Sequence, residues 1–158
     1  IRAGMTAADL AELELCYAPP FSSAKDPVNI AGFVIENLLA GRVRQFHWDE
    51  VAALPRDGSV TLVDTRSPEE YAQGRIDGFK NVPIDGLRDH LDEFPLGKPV
   101  YLTCGTALRS YLACRILMQH GYECHNLSGG WMVYESVMGK VGYDFSPAHP
   151  CGVKIKTE

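Results

Sequence analysis

The sequence has few cysteines, and they are not arranged as pairs. The five residues are Cys16, Cys104, Cys114, Cys124 and Cys151, an odd number with no C-x-x-C spacing. Disulfide frameworks use even numbers of cysteines and structural zinc sites use closely spaced ligands, so the pattern argues against both. The histidines show no ligand spacing either, and we expect no metal site. Reduced thiols are typical of the cytosol, so we expect a cytoplasmic protein.

Excess positive charge and long apolar runs are also lacking. Lys and Arg number 15 against 20 Asp and Glu, which gives a formal net charge of −5 at pH 7. With no basic cluster in the chain, a nucleic-acid partner is not expected. No apolar run reaches membrane-spanning length and no signal peptide is recognisable, so no membrane partner is expected. Because the chain begins at Ile1 rather than Met, we expect a fragment of a longer protein.

Two predicted helices occupy residues 1–42. Thr6 is a suitable N-cap for the first, and Asp26 followed by Pro27 is a typical start for the second. Two helices with no sheet to cover form a poor core by themselves. We therefore expect this block to dock on another surface.

Residues 43–140 alternate between short apolar strands and amphipathic helices. The runs 59–63 and 100–103 are nearly continuously apolar or β-branched, as in buried parallel strands. Such alternation predicts an α/β fold with a central parallel sheet and right-handed crossovers. Residues 141–158 contain prolines, glycines and polar ends and are predicted to be a tail.

The stretch 99–110 places a cysteine where a predicted strand passes into a predicted helix. Backbone N–H groups of the small residues after Cys104 can turn inward around an anion, at the positive end of the helix. Such a position favours a thiolate and stabilises a persulfide or an oxyanion. The alternative is a buried, inert cysteine. The candidate loop consists of Gly105, Thr106, Ala107, Leu108, Arg109 and Ser110.

The length of this loop separates two kinds of cysteine chemistry. Four residues lie between Cys104 and Arg109, which makes a tight loop that fits one sulfur atom. Cysteine phosphatases have one residue more, to surround a whole phosphate, and usually a His before the Cys, where this chain has Thr103. The sequence therefore favours sulfur transfer over a phosphatase or an arsenate-type reductase.

Three motifs in this region resemble the rhodanese family. They are residues 63–83 (VDTRSPEEYAQGRIDGFKNVP), residues 100–104 with Arg109, and residues 127–131 (LSGGW). The resemblance implies a three-layer α/β domain over residues 43–140. It also implies that Cys104 takes sulfane sulfur from a small donor and passes it to a thiol acceptor. The alternative is a docking or regulatory module without enzymatic activity.

The chain departs from the rhodanese pattern at three positions. Ala107 stands where the family commonly has Gly, Gly105 where a basic residue is frequent, and Arg75 in place of the usual His. Because Ala costs more than Gly wherever φ is positive, the loop conformation at Ala107 is the open question.

Several further residues have both a structural and a functional interpretation. Asp64 and Arg66 follow a predicted strand at the same sheet edge as Cys104; they either line the site or form a structural ion pair, which we favour. Trp131 is expected in the core. Cys114 and Cys124 are also expected to be packing residues, and Cys151 is either incidental or a resolving thiol for the persulfide.

Residues 13–29 carry a second resemblance. They are similar to the last segment of the dimerisation domain in FAD-dependent pyridine nucleotide-disulfide reductases, nearest the coenzyme A-disulfide reductase and NADH-dependent persulfide reductase branch. The resemblance implies an upstream reductase domain, and a full-length homodimer that uses FAD, NAD(P)H and coenzyme A. No cofactor is expected to bind this fragment alone. Tyr17 is a candidate site residue, whereas Phe21 replaces a second tyrosine.

Overall fold

A computed structural model describes residues 2–16, 20–21 and 24–139, and the backbone of residues 142–144 and 153–155. Two predicted candidates, Tyr17 and Cys151, lie outside the described residues. The chain divides into two compact units, residues 1–45 and 46–158. Among the described helices, none is long and apolar enough to cross a membrane.

The first unit is a pair of helices, α1 (Ala7–Glu12) and α2 (Pro27–Leu39). Thr6 and Asp26 are their N-caps, as predicted, and each forms a capping box with the residue three positions later. The side-chain amide of Asn29 donates to the carbonyls of Leu10 (3.0 Å) and Leu13 (2.9 Å). Asn29 thus satisfies carbonyl groups at the end of α1 and fixes α2 against it.

The main sheet has five strands in the order β1-β5-β4-β2-β3, and all of them except β1 lie wholly in the second unit. The pairs β2–β3, β2–β4 and β4–β5 are parallel, which confirms the predicted α/β fold with a central parallel sheet. The strands are β1 (Arg44–Phe46), β2 (Thr61–Asp64), β3 (Lys80–Asn81), β4 (Val100–Thr103) and β5 (Cys124–Leu127).

Helical segments cover both faces of this sheet. Leu62 and Val63, which are adjacent on β2, belong to two different apolar clusters, because successive side chains on a strand point to opposite faces. One cluster packs with Leu117 of a helix and the other with Phe79. The segments are α3 (Pro68–Gln73), α4 (Leu108–Gln119), α5 (Gly130–Met138) and the 3₁₀ helices Trp48–Ala53 and Ile84–Glu93.

One side chain fixes the start of the first 3₁₀ helix. Glu50 accepts a hydrogen bond from the backbone N–H of His47, so the first turn begins at Trp48. Residues 141–158, which were predicted to be a tail, contain two short strands, β6 (Gly142–Asp144) and β7 (Val153–Ile155), which pair antiparallel. Strands of three residues are too short to give a readable alternation pattern.

Candidate active site

Cys104 lies directly after β4, at the carboxyl edge of the sheet. Asp64, at the end of β2, is in register with Thr103, at the end of β4, so both strands end at this edge. In open α/β sheets, ligand-binding and active sites usually lie at the carboxyl ends of the parallel strands. The Cys104 residue is 0% exposed.

A hydroxyl group faces the Cys104 sulfur. The side chain of Ser110, in the first turn of α4, donates to Cys104 Sγ at 3.3 Å. Ser110 is also fully buried, so this hydrogen bond is shielded from water. A buried donor of this kind stabilises negative charge on sulfur, because the electrostatic interaction is stronger where water is excluded.

The loop after Cys104 turns through a left-handed residue. Ala107 has φ 74° and ψ −4° and is the N-cap of α4, with no side-chain hydrogen bond to the first helical turn. The first N–H groups of α4 are therefore not capped by a side chain and form a potential anion-binding end. The Ala107 carbonyl accepts hydrogen bonds from the Asn126 side chain (3.1 Å) and the Tyr111 N–H (3.0 Å), which hold this conformation.

The start of α5 supports the other side of the loop. The N–H of Trp131 donates to the carbonyl of Cys104 at 2.7 Å, and the N–H of Met132 donates to that of Gly105 at 3.0 Å. Gly130 has φ +60°, and a Cβ there would lie 2.5 Å from the Cys104 carbonyl oxygen and 2.8 Å from the Ala107 nitrogen. The close approach of these two backbones explains why glycine occupies this position.

Arg109 is held by an ion pair across the loop. Its guanidinium donates to both carboxylate oxygens of Glu70 at 2.6 Å, next to Gly105. Glu70 also accepts from the N–H of Ser67, the N-cap of α3, at 3.0 Å. The hydrogen bonds from Arg109 and then from Ser67 lower the pKa of Glu70 to about 2, and the Glu70 bonds raise the pKa of Arg109. The fixed charge expected from Arg109 is thus shared with a carboxylate.

Asp64 and Arg66 form a buried ion pair at the end of β2. The Arg66 guanidinium donates to Asp64 at 2.7 and 3.0 Å, and both residues are at most 3% exposed. Arg66 also donates to the Gly74 carbonyl at 2.6 Å and lies 4.9 Å from the Trp131 ring centre. These contacts occupy the guanidinium, so the geometry favours the structural interpretation of the pair.

The remaining buried cysteines pack in the core. Cys114 on α4 and Cys124 on β5 are both at most 1% exposed. A hydrogen bond with Cys124, followed by burial, raises the pKa of the Cys114 thiol far above its usual range. Cys114 therefore stays protonated and unreactive at neutral pH. Within the described residues, no group of three or more His, Cys, Asp or Glu side chains is placed to hold a metal ion.

Three residues of the site were not assigned a role from the sequence. Glu70 was recognisable as the third residue of a capping box, but its Arg109 partner lies 39 positions away. Asn126 is 3% exposed, and its Oδ1 has no hydrogen-bond partner among the described residues. Gly130 was named in the sequence only as part of the motif at residues 127–131. Its positive φ of 60° is the physical reason why a glycine occupies this position.

Comparison with known proteins shows that the part of the chain around Cys104 is similar to a known domain family and to a sulfurtransferase. The family profile described as "Rhodanese-like domain" matches residues 47–136. A sulfurtransferase from Allochromatium vinosum is 42% identical over 72 residues, which are 45% of this chain and 67% of that protein.

Two solved structures resemble most of the chain in sequence and fold. The reduced Bacillus anthracis CoADR-RHD has a TM-score of 0.82 and 44% identity over 87% of this chain and 24% of its own. An NAD-dependent persulfide reductase from A. fulgidus has a TM-score of 0.71 and 36% identity over 84% of this chain and 23% of its own. The present chain thus spans about a quarter of the length of either structure.

Proposed function

The chain belongs to the rhodanese-like domain family, and on that premise we propose that it transfers sulfane sulfur through a persulfide on Cys104. It is related to sulfurtransferases and to the corresponding domains of CoADR-RHD and a persulfide reductase. One observation carries the proposal: Cys104 Sγ lies 3.3 Å from the Ser110 hydroxyl, in a loop that ends at the uncapped N-terminus of α4.

In the first half-reaction, the Cys104 thiolate attacks the outer sulfur of the donor. With thiosulfate, the donor S–S bond breaks, sulfite leaves with the bonding electron pair, and a new S–S bond forms on Cys104. With an organic persulfide donor, the leaving group is a thiolate. The Ser110 hydroxyl and the N–H groups of the loop and of α4 then stabilise the negative charge of the Cys104 persulfide.

In the second half-reaction, an acceptor thiolate attacks the outer sulfur of that persulfide. The Cys104 S–S bond breaks, Cys104 leaves as a thiolate, and the acceptor becomes the new persulfide. Sulfane sulfur moves at constant oxidation state, so no external oxidant or reductant takes part. Since Cys104 is 0% exposed, donor and acceptor gain access by displacing the loop near Gly105, whose outer side is covered by the exposed Arg109–Glu70 pair.

Intact-protein mass spectrometry tests the proposal. Treatment with thiosulfate or polysulfide is expected to add one sulfur atom to the chain, removable by a thiol and absent from the Cys104→Ser variant. Cys114→Ser is the matched control, because it removes a buried thiol outside the loop. Absence of added sulfur on Cys104, or full transfer activity in Cys104→Ser, would contradict the proposal.

The burial of Cys104 also favours one alternative, a docking or regulatory module without turnover. In that case the thiol has a packing role and the exposed surface binds the reductase. Undetectable sulfur loading combined with tight binding to the reductase domain is the result that would favour this alternative.

We further propose that residues 1–42 are the end of a reductase dimerisation domain. The support is twofold: the two reductase-related structures match most of this chain, and α2 has an exposed apolar face. On this basis the full-length protein is a homodimeric NAD(P)H-dependent flavoprotein that uses FAD and coenzyme A. The apolar residues of α2 with 37–48% exposure are Val28, Ile30, Val34, Ile35 and Leu38.

Purification of the full-length protein tests this assignment. Bound flavin and oxidation of NADH in the presence of a disulfide or persulfide of coenzyme A are expected. A protein without flavin and without NADH oxidation would contradict the reductase context, and it would leave the sulfur loading of Cys104 as a separate result.

A further inference from the structure

Asn126 is a buried polar residue next to the Cys104 loop. It lies on β5 in register with Leu102 of β4, which is two positions before Cys104. Its side chain is on the sheet face that packs against α4, because Cys124, two positions earlier on the same strand, belongs to the apolar cluster that contains residues of α4. Since Asn126 is 3% exposed, its polar atoms have to find their partners within the protein.

Only one end of the Asn126 amide has found such a partner. Its Nδ2 donates to the Ala107 carbonyl at 3.1 Å, whereas its Oδ1 has no hydrogen-bond partner among the described residues. A buried acceptor without a partner costs free energy. A leucine of similar size would avoid this cost, so the gain from asparagine at this position is the donor.

The backbone of Ala107 needs that donor. A residue with a side chain persists at a φ of 74° only when its surroundings hold it there. Two hydrogen bonds to the Ala107 carbonyl are described, one from the Tyr111 N–H at 3.0 Å and one from Asn126. The first belongs to α4 itself, so the bond from Asn126 is the one that ties this turn of the loop to the sheet.

The position of the Ala107 carbonyl also decides the direction of the next N–H group. The peptide unit between Ala107 and Leu108 is planar and trans, so its N–H points away from its carbonyl. Because the carbonyl accepts from Tyr111, one turn further along α4, the Leu108 N–H points out of the N-terminal end of the helix, towards the loop. No side chain caps this end, and its partial positive charge favours an anion.

We propose that Asn126 is a positioning residue for sulfur transfer. By holding the Ala107 carbonyl, its side-chain amide keeps the Leu108 N–H directed into the loop, where negative charge develops on the sulfur of Cys104. The inference rests on the proposed function and adds a residue of β5 to the machinery of the loop. Asn126 acts through Ala107 in this assignment and takes no part in the bond changes.

The Asn126→Leu variant separates this role from a purely structural one. The substitution removes the Nδ2 donor and the unpartnered Oδ1 together and keeps a side chain of similar size. We expect the urea midpoint to change little or to rise, because the buried orphan acceptor is gone. The maximal rate of loading by thiosulfate, followed by mass spectrometry, should nevertheless fall about five- to tenfold. The thiosulfate concentration at half-maximal rate should stay within about twofold, since the lost interaction forms with the developing charge and not with the bound donor.

A second substitution in the loop provides a rescue. Glycine adopts a positive φ without outside support, so Ala107→Gly makes the loop less dependent on Asn126. When Asn126→Leu is introduced into the Ala107→Gly chain, we expect it to slow loading by only about twofold, compared with about five- to tenfold in the original chain.

Asn81→Leu is the matched control. The Asn81 amide also donates to backbone carbonyls at the carboxyl edge of the sheet, those of Asp64 (3.0 Å) and Arg66 (2.8 Å), but it does not hold the Cys104 loop. This variant should lower the urea midpoint and leave the maximal loading rate of the folded chain within about twofold.

Loading of Asn126→Leu at the rate of the unchanged chain would overturn the inference. A slower rate that Ala107→Gly does not relieve would also overturn it, because such a loss does not pass through Ala107. If Asn126→Leu does not fold, Asn126→Ala, which leaves space in place of the amide, undergoes the same comparison, and the rescue by Ala107→Gly decides in the same way. These results leave the proposed function intact; it fails if the unchanged chain gains no sulfur on Cys104, and the inference then falls with it.

Discussion

Ala107 is the one non-glycine residue with a positive φ in the described part of the chain. A side chain in the left-handed region costs roughly 1–2 kcal/mol, because Cβ approaches the backbone oxygen. The Asn126 amide and the Tyr111 N–H hold the Ala107 carbonyl and oppose this strain. The loop conformation therefore depends on its neighbours more than on local preference.

We expect Ala107→Gly to raise the free energy of unfolding by up to about 1 kcal/mol. Glycine removes the left-handed strain, and the greater freedom of the unfolded chain offsets part of the gain. Urea unfolding measures the change. Ala113→Gly, in the interior of α4, is the control and should lose roughly 1 kcal/mol or more. Equal destabilisation by the two substitutions would contradict the strain at Ala107.

Ser110→Ala should slow sulfur loading of Cys104 by about three- to tenfold. The substitution removes a hydrogen bond to a charged sulfur, worth roughly 1 kcal/mol in this setting. The rate of loading by thiosulfate at constant pH is the measurement. Ser136→Ala is the control, because the Ser136 hydroxyl donates only to carbonyls of its own helix. If both variants load at the rate of the unchanged chain, Ser110 has no role in stabilising the sulfur.

The position of Cys104 between a strand and a helix was predictable from the sequence, and the contacts that surround it were not. A cysteine between an apolar strand and an amphipathic helix marks the site through local order alone. The only sign of the positive φ at Ala107 in the sequence was that rhodanese domains commonly have glycine at this position. Asn126 comes from β5, and its contact with Ala107 depends on strand pairing that no local pattern reports.

At the scale of elements, the loop is held between three helices. Its own helix, α4, presents the N-terminal N–H groups, α5 donates two backbone hydrogen bonds to the loop, and α3 contributes Glu70 to the pair with Arg109. The capping residues Thr6 and Asp26 and the strand Val100–Thr103 were predicted from the sequence because their signals are local. The contacts between helices were not, because they join distant parts of the chain.

The Glu70–Arg109 pair predicts a pH dependence below neutrality. In the folded chain the pKa of Glu70 is about 2, below its ordinary value of 4.5, so its contribution to stability is complete above pH 4.5 and is lost as the pH falls towards 2. Because the Glu70 side chain is 41% exposed, the contribution is about 1 kcal/mol or less.

Urea unfolding of Glu70→Gln at several pH values measures this contribution. The variant should be less stable than the unchanged chain at pH 6, and the difference should shrink as the pH falls from 4.5 towards 2. Glu135→Gln, an exposed position on α5, serves as the control and should show little difference at any pH. A constant difference between Glu70→Gln and the unchanged chain down to pH 2 would refute the ion-pair origin.

Gly130→Ala should disrupt the contact between α5 and the loop. A Cβ at this position meets three backbone atoms at 2.5–2.9 Å, in addition to its strain at φ +60°. We expect a loss of roughly 3 kcal/mol or more in unfolding free energy, together with slower sulfur loading. Gly121→Ala is the matched control, since Gly121 has φ +85° and open space, and it should cost only about 1 kcal/mol. Similar losses in both variants would mean that crowding against the loop is unimportant.

At the scale of the whole molecule, the candidate site belongs to one unit of the chain. Cys104, Ser110 and the Glu70–Arg109 pair all lie between residues 46 and 158. The helix pair of the first unit has its own capping boxes and its own contact through Asn29. The sequence predicted a change of organisation at residue 43, because the helical pattern ends at Gly41 and a strand follows. A local sequence pattern is enough to predict such a boundary. It does not predict which surface covers the exposed face of α2.

Removal of residues 1–42 is therefore expected to leave sulfur loading intact. The shortened chain keeps β1, which begins at Arg44, and all the hydrogen bonds around Cys104. Loading by thiosulfate, followed by mass spectrometry, should agree with that of the full chain within about twofold, since the deletion removes none of the hydrogen bonds described for the loop.

A slightly longer deletion provides the matched control. Removing residues 1–46 also removes β1 and Phe46, which is 2% exposed, and the hydrogen bond from the Ser128 N–H to the Phe46 carbonyl. Loss of a buried aromatic side chain costs about 3–5 kcal/mol, so this variant should unfold at markedly lower urea concentration. If the shorter deletion abolishes loading as well, the first unit is needed for a competent site, and the boundary at residue 43 is wrong as a functional boundary.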